Sequence, residues 1–421
     1  MRDSNRRIVF LLFLTGLALT GCTAQRLATQ AVSFNLTLEK SQNEMLLLNV
    51  IRAKDRLPMY LSGISGLTGN VQTTLSGSLG STYTDSRSKA PTGVTDTLTR
   101  SYTPSLGATF SKNPTFTLAV LDTQEFMRGF LAPIQKETLS YYWNQGWPRE
   151  LLLYLLVQRV EIHEENQPLR VLRNYPDSAD EEVRELQEFS DWVANEFLIQ
   201  DPQMETVSVP FNIGPELPKA EIADLNKLIA VAKEGLLLTK IGDGYQLQKQ
   251  QADLRFRLAS DAPETNPSAT KQEYNESVAR QSGKVAVSQS GTKTITIVLR
   301  SPEALIYYLG ELVRLENRAE TPLAPYVCIQ NVYQPLFVAR PTGTCADTLA
   351  DADTGKERYS IPPTGLATAK APCTTGSLKL TAPDCESGRS MQALRLLNQI
   401  ISLQKSAKDN PATALVRVIG D

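Results

Sequence analysis

Histidine is nearly missing from this chain: His163 is the only one in 421 residues. A Ser-His-Asp or Cys-His centre needs an imidazole, so catalysis of either kind would rest on that single side chain. It sits in Glu161-Ile162-His163-Glu164-Glu165, a strand end among acids where a surface histidine is the ordinary case. No GxSxG elbow, GxxxxGK[ST] loop, HExxH pair or EF-hand loop occurs, and Gly63, Gly66 and Gly69 have no lysine after them. Charge of one sign is scarce too. Forty-three basic and 45 acidic residues leave −2, without the clustered basic surface that nucleic acid requires. Beyond residue 19 no apolar run approaches the roughly 20 residues of a membrane helix. From Leu57 to Thr84 there is no charged residue at all.

At the N-terminus Arg2, Arg6 and Arg7 precede an apolar run, Ile8 to Leu19, which is too short to span a bilayer but has the length of a signal-peptide core. It ends in Leu19-Thr20-Gly21-Cys22. Basic end, short apolar core and terminal cysteine together resemble the signal and lipobox of bacterial lipoproteins. The resemblance implies cleavage before Cys22, diacylglycerol on its sulfur and acylation of the new amino terminus. Thr23, where proteins kept at the inner membrane typically carry Asp, favours the outer membrane, with the body facing the periplasm and surface exposure left open. Removing residues 1–21 leaves 400 residues, more than one core normally accommodates.

The other cysteines, Cys328, Cys345, Cys373 and Cys385, form an even set in one segment of an exported chain and read as two disulfides. Three pairings are open. Cys328–Cys345 with Cys373–Cys385 is preferred because each closes a short loop. Their spacings are not those of a zinc site, so no metal is expected.

The most informative stretch is 66–121. Val71, Leu75, Leu79 and Tyr83 fall on one face at period two, with Thr73, Gly77 and Ser81 between them. After a polar loop the alternation resumes with Tyr102, Pro104, Leu106, Ala108, Phe110, Phe116, Leu118 and Val120. The opposite faces hold Ser, Thr, Gly, Gln and Asn. Two such strands joined by a turn-rich connection predict a long β-hairpin. Three readings of it stay open. A sheet with one face on a soluble core stands first, because it is the common source of such alternation. A membrane hairpin, lipid on one face and water on the other, stands second; a mobile Gly/Ser/Thr-rich segment stands third. A lone hairpin in lipid would leave its edges unpaired and would need partners from other copies. That pattern is similar to the oligomeric lipoprotein channel of curli secretion.

Elsewhere the spacing predicts a helix over 42–54 opened by Ser41-x-x-Glu44, and short helices after Asp122, over 134–145 and from Trp147-Pro148. A strand over 157–163, an acidic amphipathic helix within 176–200, a strand over 207–213 and a helix over 217–234 follow. A Gly-turned hairpin spans 236–258. Next come a linker over 260–293, a strand over 294–300 and a helix capped by Ser301. A helix over 390–408 and a strand over 415–419 close the chain. Tyr141, Tyr142, Trp143 and Trp147 suit an aromatic core better than a sugar-stacking platform.

The domain plan is therefore: signal 1–21; tether and first helix 22–65; hairpin 66–121; α+β domain 122–259; linker 260–293; strand–helix unit 294–320; cysteine-bearing segment 321–389; terminal helix and strand 390–421. The expected fold is α+β and non-catalytic, without cofactor. The expected role is that of an outer-membrane lipoprotein, a structural or assembly component of an envelope complex, with transport or secretion as its setting. Its partners would be the bilayer, through acylated Cys22, and other envelope proteins or copies of itself. The alternatives are a monomeric periplasmic scaffold and, behind it, an envelope carbohydrate hydrolase using Glu161 with Glu164 or Glu165.

Overall fold

A computed structural model of the protein describes residues 32–90, 93–175, 180–219, 229, 231, 233–259, 276–288, 293–316, 325–329, 332–345, 347–363, 385 and 388–404. The signal and lipobox residues, Cys373 and the expected 415–419 strand lie outside these. The chain forms two compact units, one of 1–61 with 121–406 and one of 62–120 with 407–421.

The first unit is α+β, as expected. Helix α1 covers 32–54 and runs unbroken through Ser41, so the predicted start at 42 is corrected. Apolar Val32, Phe34, Leu36 and Leu38 precede the capping pattern, and Lys40 pairs with Glu44 one turn on at 3.8 Å, so the helix needs no cap there. It ends in a Schellman motif. Arg56 takes a left-handed φ of 55°, while the amides of Leu57 and Arg56 donate to the carbonyls of Arg52 and Ala53.

Short helices follow as α2 (Gln124–Leu131), α3 (Lys136–Asn144) and α4 (Arg149–Leu156). Thr123 caps α2 through a 3.2 Å bond from the Phe126 amide. Leu151 to Leu156 are all essentially inaccessible, so α4 is apolar all round because it is buried all round. Strands β3 (Val157–Glu164) and β4 (Arg170–Arg173) follow, then α5 (Asp180–Asp191), which passes into a π-helical turn over Trp192–Phe197.

The sheet is completed by β5 (Gln203–Pro218), β6 (Leu236–Ile241), β7 (Gly244–Arg257), β8 (Lys284–Ser288) and β9 (Lys293–Leu299). Its order is β4-β3-β9-β8-β7-β5, with β6 also on β7, and all pairs are antiparallel except β7–β8. Two corrections follow. Leu217 and Pro218 belong to β5 rather than opening a helix. The expected linker 260–293 contains β8, buried between β9 and β7, so the segments on either side of it share one sheet. Lys284 and Ser288 made β8 look polar, although Val285, Ala286 and Val287 between them are buried.

Helix α6 (Pro302–Glu316) is capped by Ser301, whose hydroxyl accepts from the Ala304 amide at 3.1 Å. Short strands β10 (Tyr326–Ile329), β11 (Val332–Pro335), β12 (Arg340–Pro341), β13 (Ala350–Asp353) and β14 (Arg358–Ile361) make a hairpin and a three-stranded sheet, and α7 (Ser390–Leu403) follows. One core cluster runs from Leu46 to Ile401. Helices α1 and α6 meet at Gly310, where an added β-carbon would lie 2.7 Å from the Lys54 nitrogen and 2.9 Å from the Val50 oxygen. Only glycine permits that approach.

The second unit contains a ribbon of two strands, β1 (Ser62–Ala90) and β2 (Gly93–Val120), paired without interruption from Gly66 opposite Thr117 to Ala90 opposite Gly93. The expected hairpin is present, but its boundaries move from 66–121 to 62–120. Within the predicted polar loop, Thr84 to Arg100, residues 84–90 and 93–100 are strand. Apolar alternation is silent where both faces are polar, whereas Thr, Val and Ser suit an extended backbone.

Candidate functional site

In sequence the ribbon lies between Leu61 and Leu121, which both belong to the first unit. Leu61 and Leu121 are buried, and the Leu121 amide donates to the Leu61 carbonyl at 3.0 Å. Asn49 of α1, 2% exposed, accepts from the Tyr60 amide and donates to the Tyr60 carbonyl, both at 2.9 Å, so its side chain acts as one more strand rung. Helix α1 packs closely on α6 at Gly310, and Leu61 and Leu121 belong to the same core cluster of the first unit.

Register decides what the two alternations amount to together. On one face the paired positions are Thr73–Phe110, Leu75–Ala108, Gly77–Leu106, Leu79–Pro104 and Ser81–Tyr102. Each rung combines one bulky residue with one small one, and the bulky one comes alternately from either strand, save the Leu79–Pro104 rung, where both are apolar. Beyond these rungs Val71 lies opposite Lys112 and Tyr83 opposite Arg100, and Phe116 pairs with Leu67. The other face reads Gln72–Ser111, Thr74–Thr109, Ser76–Gly107, Ser78–Ser105, Gly80–Thr103 and Thr82–Ser101, six successive rungs of small polar residues. All eight positions singled out from sequence (Val71, Leu75, Leu79, Tyr83, Tyr102, Leu106, Phe110 and Phe116) thus fall on one face by register parity. Among the described residues no third strand pairs with either edge.

The disulfides depart from the preferred pairing. Cys345 is bonded to Cys385 across 40 residues, which excludes both Cys328–Cys345 and Cys373–Cys385. Cys328 is itself disulfide-bonded. Short loops mislead here because Cys328 lies within β10, and β11 and β12 intervene before Cys345. The chain entering α7 meanwhile crosses back over β11, the Arg389 amide donating to the Pro335 carbonyl at 3.0 Å, and delivers Cys385 to the turn after β12. Replacing Cys345 and Cys385 together by serine is expected to cost about 2–4 kcal/mol, read as a fall in the urea midpoint of the oxidised protein; reductant, which also opens the Cys328 bridge, should lower the parent's midpoint at least as far.

Of the candidate catalytic residues, His163, Glu161 and Glu164 all lie on β3. His163 is exposed on β3; Glu161 pairs with Arg159 at 2.8 Å and Lys284 at 3.4 Å, and Glu164 with Lys293 at 3.8 Å. Among the described residues no group of three His, Cys, Asp or Glu side chains is placed to hold a metal ion. Tyr142 and Trp143 are buried in the core, Trp147 packs against it and Tyr141 is exposed, so these aromatics form no open platform. A cleft of about 200 Å³ lies between Gln158, Arg159, Arg173, Tyr175 and Glu185, where Arg173 pairs with Glu185 at 3.6 Å.

Two polar groups had no signal in the sequence. Arg300 is 2% exposed at the end of β9, and its guanidinium donates to the carbonyls of Tyr154, Leu155 and Val157 and to that of Asn174. Glu150, half-buried in the first turn of α4, accepts from the Cys328 amide, and burial pushes its carboxyl up to about 7 against that bond's opposing pull. The folded chain therefore holds a proton that the unfolded chain, near 4.5, releases. The stabilisation is complete below about 4.5 and is lost as pH rises through 7. Thermal unfolding should come earlier at pH 8 than at pH 5.5, by the equivalent of about 1–2 kcal/mol once solvent access is allowed for. Glu150→Gln should flatten that part of the difference.

No described helix is long and apolar enough to cross a membrane. Compared with known proteins, the chain matches no family model, no curated protein and no solved structure.

Proposed function

We propose that this chain is a lipid-anchored, non-catalytic component of an envelope assembly, in which several copies complete one another's sheets through the 62–120 ribbon. The observation that carries the reading is the two-faced ribbon itself, 29 and 28 residues per strand, with no further strand on either edge among the described residues. An isolated two-stranded sheet is marginal in water, and one this long exposes two rows of unpaired amides and carbonyls. Ribbons from neighbouring copies, edge to edge, satisfy those rows, and a closed ring leaves none open. Such a ring, polar within, is the form expected of a transport or secretion component, and the lipobox resemblance supplies its anchor at Cys22.

The second reading is a monomeric periplasmic scaffold. It is favoured by Pro104 and Pro114, each of which withholds one donor from a ladder, as edge strands that avoid pairing often do. Mass and symmetry of the full protein extracted in mild detergent separate the two. A ring of many copies supports the assembly; a single chain at all concentrations overturns it in favour of the scaffold.

A further inference from the structure

Resting on the assembly reading, we infer that the ribbon passes through bilayer hydrocarbon over 72–82 and 101–111, with residues 84–99 emerging beyond it as a charged tip in water. The inference comes from where charge is allowed. The whole ribbon holds six charged residues: Asp85, Arg87, Lys89, Asp96, Arg100 and Lys112. Five lie in the rungs from Tyr83–Arg100 to the turn, and the sixth stands at the Val71–Lys112 rung. Between those two rungs lie eleven successive uncharged rungs. A tilted strand needs about 9–11 residues to cross the hydrocarbon. Arg100 and Lys112 share the parity of the apolar face, which is the lipid side, so each stands where a long cationic side chain can reach headgroups.

Aromatic positions mark the same two levels. Tyr83 and Tyr102 lie at or beside the Arg100 rung, and Phe110 lies two positions from Lys112. That is the placement of interfacial girdles on a membrane barrel. A soluble sheet has no reason to exclude charge over this length on its polar face, where six rungs carry only Gln, Ser, Thr and Gly; a narrow aqueous lumen tolerates that composition. Beyond the Tyr83–Arg100 rung the remaining rungs rise about 3.3 Å each, enough for roughly 25 Å of ribbon in water. Lipid acyl chains are therefore the occupant assigned to the face of Leu75, Leu79, Leu106 and Phe110.

The test places single tryptophans in the full-length protein, reconstituted in phosphatidylcholine vesicles whose acyl chains carry bromine at defined depths. The added emission of Leu106→Trp should be mostly lost to bromines near the chain ends. That of Phe110→Trp should be lost to shallower bromines, and that of Leu98→Trp to neither. In parallel, trypsin added outside intact cells should cut the unsubstituted protein at Arg87 or Lys89. If Leu106→Trp keeps its emission and the tip resists trypsin while the preparation remains a multi-copy ring, the crossing is wrong and the assembly stands. If the preparation is a single chain as well, both fall. Should the tryptophan variants not fold, trypsin resistance of the parent tip alone overturns the crossing.

Discussion

Leu106→Arg is expected to remove the multi-copy species from detergent extracts and leave single chains. Leu106 lies at the centre of the uncharged window, six positions from both Arg100 and Lys112. An arginine at the midplane of a barrel's lipid face costs about 2–4 kcal/mol, and a closed ring incurs that cost once per copy. Ser105→Arg is the matched control. It adds the same charge one position away on the polar face, opposite Ser78, and should leave assembly intact. Size-exclusion chromatography with light scattering reads both variants. Equal behaviour of the two, whether both assembled or both dispersed, would mean that the faces are not differently solvated and would sink the lipid assignment.

Arg300→Met should produce the largest loss of stability in the first unit, about 3–5 kcal/mol. The guanidinium lies over the Tyr308 ring, 3.8 Å from its centroid, and burial pulls it down to about 10, so it remains charged at neutral pH. Every acceptor it reaches is a main-chain carbonyl, at the junction where α4 turns into β3 and at Asn174 after β4. Asn174 is equally buried and donates to the carbonyls of Tyr154 and Val157 at 2.9 and 2.8 Å, while the Tyr308 hydroxyl donates to its side-chain oxygen at 3.1 Å. Methionine can fill the volume but donates nothing, which removes the guanidinium's bonds to the Leu155 and Asn174 carbonyls and leaves those of Tyr154 and Val157 with the Asn174 amide alone. The measurement is the urea midpoint of the oxidised protein. A shift no larger than that of an exposed control such as Arg358→Met would show that water relieves those carbonyls.

These two residues differ in how much of their role the chain displayed in advance. Leu106 stood in a visible alternation, whereas Arg300 followed Thr294-Ile-Thr-Ile-Val-Leu299 and looked like the polar end of a strand. The same contrast runs through the fold. Strand β3, the hairpin β6–β7, the Ser301 cap and the buried aromatics near Trp143 were legible because each depends on neighbours within a few residues. Helix α1 began earlier than its capping pattern, and β8 hid in a stretch that reads as linker. In both places local composition competes with burial supplied from far away.

The sequence alone determined that this is an α+β chain with one long two-faced hairpin and a crosslinked C-terminal segment, since period, turn chemistry and cysteine count are local or compositional quantities. Tertiary structure decided the rest. Register showed that the two apolar alternations share a face and set bulky residues opposite small ones, because pairing is a relation between strands that neither strand encodes by itself. It joined Cys345 to Cys385 because the return of the chain over β11, not loop length, sets which sulfurs meet. It also gave Arg300 its carbonyls, since four acceptors from separate segments converge only when the core has closed around them.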